Sequence, residues 1–127
     1  MIEPNWVNID VIKAIHIRQI QEHGGLHGIR DEKLLISALN APKNTFLYEK
    51  VNLITLAAKY LYSLSSNHPF VDGNKRTAYI CMRLFLKLNG KDFKATEEEK
   101  IELMINVASQ RHKDDEIIDW LKQHILD

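Results

Sequence analysis

Residues 67–77 read Asn67-His68-Pro69-Phe70-Val71-Asp72-Gly73-Asn74-Lys75-Arg76-Thr77, and they set an imidazole, a carboxylate, a glycine and two cations side by side. His68 is the one side chain here whose ordinary pKa lies near neutrality, so it is the natural general base to take a proton from an attacking hydroxyl. Asp72 offers a hard oxygen ligand suited to Mg2+ carrying nucleotide phosphates. Gly73 can take a positive φ and let the backbone approach a ligand closely. Asn74 is placed to cap a helix that follows, leaving N–H groups near Lys75, Arg76 and Thr77 pointing at the loop. Such a helix start carries about half a unit of positive charge and binds phosphate readily. Lys75 and Arg76 oppose that dipole, at about 0.3–1 kcal/mol for an exposed end, and a bound polyphosphate would explain them. Pro69 restricts the backbone and Phe70 is expected to anchor the loop in the core. Singly, a His before Pro or an Asp-Gly-Asn turn is ordinary loop material. The joint spacing is what points to a site. It is not a Walker loop: the earlier glycine and the Gly-Lys-Thr order are missing, and no strand precedes it.

Such a loop needs rigid elements on either side. Helical periodicity and stop signals divide the chain into about six helices. The first covers residues 8–23, with Val11, Ile12, Ile15 and Ile20 on one face and Gly24-Gly25 as its stop. The second starts at Asp31, a capping residue, carries Leu34, Leu35, Ala38 and Leu39, and is expected to close at Pro42. The third, residues 51–66, is apolar enough to lie at the centre of the fold. The fourth begins just after Gly73 and runs to Asn89, with Gly90 as its stop. The fifth opens on Thr96-Glu97-Glu98-Glu99, which has the form of a capping box, and its expected core face is Ile101, Met104, Ile105 and Ala108. The sixth starts near Asp114 and uses Ile117, Ile118, Leu121 and Ile125. Only residues 91–94 look briefly extended. The expected fold is all-α, a compact single-domain helical bundle spanning residues 1–127.

The 127 residues suit one domain with a real core. The 17 basic and 17 acidic residues cancel. That balance argues against direct nucleic-acid binding, which usually shows a basic surplus. No apolar run approaches the ~20 residues of a membrane helix, and the first residues do not resemble a signal peptide. The single cysteine, Cys81, lies in an apolar periodic stretch and reads as a core residue. A cytoplasmic location is the default expectation. His23 and His27 are separated by helix-breaking glycines and do not make a metal pair. His27 and Arg30 read as a surface loop or as the substrate side of the cleft. His16, His112 and His124 have no ligand-like neighbours. Trp6 and Trp120 are expected to pack the two ends. The acidic runs 97–99 and 114–116 read as solvated capping turns.

The stretch from His68 to Arg76 resembles the Fic motif, His-Pro-Phe-x-Asp/Glu-Gly-Asn-Gly/Lys-Arg. Lys75, where most Fic proteins have Gly, is similar to the Doc (death-on-curing) toxin branch, as are the chain length and the segment Gly24-Gly25-Leu26-His27-Gly28-Ile29-Arg30-Asp31. The resemblance implies a helical Fic fold binding ATP and Mg2+. His68 would be the catalytic base, Asp72 would hold the metal, and Gly73, Asn74, Lys75 and Arg76 would hold the phosphates. It further implies γ-phosphate transfer to a protein hydroxyl, with elongation factor Tu as the target class, and silencing by a partner antitoxin of the Phd kind. Gly73 matches Fic where the best-known Doc type has Ala, which keeps AMP transfer as the alternative. Self-inhibiting Fic proteins carry Ser/Thr-x-x-x-Glu-Gly/Asn. Thr45 and Glu49 fit that pattern but Lys50 breaks it, so this stretch reads as a loop and helix start. Two other readings stay open: a catalytically inactive antitoxin-binding module, and a ribonuclease using His68 as base. The first is disfavoured because every chemical position is filled. The second lacks another acid/base and interleaved aromatic residues.

Overall fold

A computed structural model describes residues 2–108 and 114–127; His112 lies outside the described residues. The described chain forms six helices: α1 (Ile9–His23), α2 (Glu32–Glu49), α3 (Leu53–Asn67), α4 (Asn74–Leu88), α5 (Glu97–Ala108) and α6 (Asp114–His124). The fold is all-α. No strand forms among the described residues, although isolated bridges join Ile29 to Phe70 and Phe93 to Ile125. The second bridge accounts for the short extended stretch expected at 91–94. Polar caps start the helices: Asn8 accepts from the Val11 N–H, Asp31 from Leu34 and Asn52 from Thr55. Thr96 and Glu99 form the reciprocal capping box, each side chain accepting the other's backbone N–H.

Helix α3 is the hub, packed against α2, α4, α5 and α6. Its Leu56, Ala57, Ala58, Tyr60, Leu61 and Leu64 are buried, and the small alanines let the neighbouring helices approach closely. Trp6 stacks on Phe85 and meets Phe46 edge-on, while Trp120 packs against Phe93, so both tryptophans secure the ends of the fold. Cys81 is fully buried, and burial pushes its thiol pKa up.

Two expectations are corrected. Helix α2 does not close at Pro42; it runs on to Glu49, so Thr45 and Glu49 lie in its last turns rather than in a loop and helix start. Proline there removes the N–H that would bond the Ala38 carbonyl. The Ser63 hydroxyl of α3 donates to that carbonyl instead, at 2.8 Å, and the helix survives the interruption. On α5 the buried face is Leu103 and Val107, whereas Ile101 and Ile105 are 50% and 60% exposed. They border a groove of about 440 Å³ that α5 shares with Tyr79 and Ile80 of α4, and Lys75 and Arg76 also line it.

Candidate active site

The loop between α3 and α4 is built by its own residues and by two distant elements. His68 terminates α3 in the left-handed region, φ 47°. Pro69 and Phe70 are buried behind it. Gly73 takes φ 73° and is itself the N-cap of α4. Asn74 therefore does not cap the helix as expected. Its side chain ties the loop shut, accepting from the Phe70 N–H at 2.9 Å and donating to the Phe70 carbonyl at 3.0 Å. The Thr77 N–H already bonds the Gly73 carbonyl, so the helix amides without an intrahelical partner are those of Asn74, Lys75 and Arg76.

His68, Asp72, Gly73, Asn74, Lys75 and Arg76 line one cleft of about 430 Å³, together with Val71. The side chains of His68, Asp72, Lys75 and Arg76 are exposed. Among the described residues neither Lys75 nor Arg76 forms an ion pair with a carboxylate. Both charges are thus available to a ligand. The Asp72 carboxylate accepts from the Leu26 N–H at 3.2 Å and from the Gly73 N–H at 2.8 Å. These two bonds, and then the Arg76 charge, hold its carboxyl below the usual range and keep it ionised. No cluster of three or more potential metal-ligating side chains occurs among the described residues. A cation here would rest on Asp72 and on oxygens of its own ligand, the manner in which Mg2+ accompanies nucleotide phosphates.

Residues outside the loop hold it. His16 of α1 is buried, stacks flat on Phe70 with ring centroids 3.9 Å apart, and donates from Nε2 to the Asp72 carbonyl at 2.8 Å. Its spacing four from Ile12 and four from Ile20 places a polar ring on a buried face, a signal that a partner must exist. Gly25 lies so close to Asp72 that a Cβ there would stand 2.6 Å from Oδ2. The Arg30 guanidinium donates to the carbonyls of His68 and Asn67. His27 borders a separate apolar hollow with His16, Ile29 and Phe70. His23 ends α1 beside the α5 groove.

This helical frame and loop have relatives. The model of the Fic/DOC family matches residues 6–86, more than half of the chain. The chain belongs to the Fic/DOC family. It is 35% identical over 78 residues to Protein kinase doc of Escherichia phage P1, covering 61% of this chain and 62% of that protein. It is 36% identical over 94 residues to Toxin Doc of Mycolicibacterium smegmatis, covering 72% of each. The chain thus spans less than two thirds of the phage relative's length in that match. No helix among the described residues is long and apolar enough to cross a membrane.

Proposed function

We propose that the protein is a toxin-type protein kinase that transfers the γ-phosphate of ATP to a hydroxyl of a translation factor of the elongation factor Tu class. The observation that carries the reading is the shared cleft: an imidazole, an ionised carboxylate, free helix-start amides and two unpaired cations open onto one volume. The residues fit a magnesium nucleotide, since Asp72 offers a held, ionised oxygen and the α4 start offers positive charge. When bound, ATP supplies the phosphoryl group and Mg2+ screens its charge. His68 takes the proton of the target hydroxyl as its oxygen bonds the γ-phosphorus and the bond to the β–γ bridging oxygen breaks, releasing ADP. The amides of Asn74, Lys75 and Arg76 and the side chains of Lys75 and Arg76 hold the charge on the phosphates, and Gly73 lets them come close.

The phage relative is named a kinase and the mycobacterial one a toxin, which supports both halves of this reading. A toxin needs a silencing partner, and we assign that role to a separate antitoxin of the Phd kind. The exposed apolar face of α5, beside Lys75 and Arg76, gives such a partner a place to sit. Gly73, the Fic form of the motif, keeps AMP transfer as the second reading. Incubation with ATP labelled at the α- or γ-phosphate, cell extract and Mg2+ separates the two. Label arriving from γ alone is expected; label arriving from α would replace kinase by AMP transfer, and RNA loss without label would indicate a nuclease.

A further inference from the structure

We propose that Arg30 is a positioning residue for His68: its guanidinium caps the end of α3, where the His68 N–H makes no closing bond, and so fixes the peptide that carries the imidazole. The proposal rests on the phosphoryl-transfer reading of the cleft. Helices that end in a left-handed residue normally close through N–H groups of that residue and the next one, which return to carbonyls of the last turn. The end of α2 closes this way through the N–H of Lys50, which is left-handed like His68, and the ends of α1 and α4 also return a backbone N–H, of Gly24 and Asn89, to the last turn. At the end of α3 the left-handed residue is His68, and its N–H makes no such bond among the described residues. The next residue, Pro69, has no N–H to give. The last turn of α3 also holds no basic residue of its own.

Arg30 fills that gap from another element. Its Nε donates to the His68 carbonyl at 2.7 Å and its Nη2 donates to the Asn67 carbonyl at 2.9 Å. One planar fork thereby spans two successive carbonyls and brings a positive charge to the negative end of the helix. Arg30 is itself anchored: its N–H and that of Asp31 both donate to the Pro69 carbonyl, at 2.7 and 3.0 Å, and the Val71 N–H donates to Gly28 at 3.0 Å. Asp31 in turn caps α2. The left-handed backbone of His68, unfavourable for a residue with a Cβ, is thus held from outside the loop.

The test uses the full chain carrying R30Q or R30K beside the unaltered protein. R30Q is expected to lower kcat for γ-label transfer by about 10–100-fold, the scale of an ångström-sized misplacement. KM for ATP should change by less than about threefold, because no Arg30 bond reaches the α4 amides and ground-state binding is left intact. R30K should recover less than about half of the lost rate, since one ammonium cannot bridge two carbonyls in a fork. NMR of histidine-labelled protein gives a readout independent of turnover: the His68 signals should move in R30Q while those of His16 and His124 stay. An unchanged kcat, full recovery by lysine, unmoved His68 signals, or equal disturbance of all three histidines would overturn the proposal. If the unaltered protein transfers no label, the phosphoryl-transfer reading has failed on its own, and the histidine spectra alone decide whether Arg30 sets His68.

Discussion

Asp72 and Gly25 illustrate how narrow the tolerances around the cleft are. Gly25 has φ 117°, a conformation that side-chain-bearing residues rarely adopt, and any Cβ would press on the Asp72 carboxylate. G25A is therefore expected to displace the carboxylate and, with Asp72 as the proposed Mg2+ ligand, to raise the Mg2+ concentration needed by roughly 10–100-fold. A Mg2+ titration of label transfer measures it, and an unshifted midpoint would detach Asp72 from the metal. For H68A, loss of the proposed general base should lower turnover roughly 10²–10⁴-fold with the fold intact. K75G should weaken γ-transfer first; equal activity in that variant would remove the reason for preferring a kinase.

Among the elements, α2 depends on α3 for its continuity. S63A should leave the buried Ala38 carbonyl without a donor and cost about 1–3 kcal/mol. Adding P42A restores an N–H at the interrupted position and should recover most of that loss. Urea unfolding of the two single variants and the double variant measures the coupling, and additive effects would dismiss it. This dependence explains where sequence reading stopped. Caps such as Asp31 and Thr96 with Glu99 announce themselves locally, and the helices they start lie where expected. Pro42 is a local stop signal overruled by a hydroxyl on the next helix. On α5 two apolar stripes compete, and only packing selects Leu103 and Val107 over Ile101 and Ile105. The loop from His68 to Arg76 was readable because it is contiguous. Its supports were not, because His16, Leu26 and Arg30 reach it across separations of 56, 46 and 38 residues.

For the molecule as a whole, the end of the chain is fastened by a titrating pair. His124 of α6 bonds Glu99 of α5 at 2.6 Å and stacks on Trp120. The Thr96 N–H, and then His124, depress Glu99 to about 2. For His124, burial favours the neutral form, but the Trp120 carbonyl and the Glu99 carboxylate outweigh it and raise the pKa. A lowered carboxyl contributes stability above its ordinary 4.5 and loses it as pH falls toward about 2. A raised imidazole contributes fully below its ordinary 6.5 and loses it as pH climbs past the raised value. The clamp should therefore be strongest between those two ordinary values. Unfolding midpoints across pH should show a maximum there that H124Q flattens; an identical profile in the variant would exclude the pair. The open apolar strip on α5 has its own consequence for handling the protein. With formal charges summing to zero at pH 7, little electrostatic repulsion keeps two strips apart. Purified material should cloud or grow in hydrodynamic radius on concentration near neutrality, and I105E should keep it dispersed.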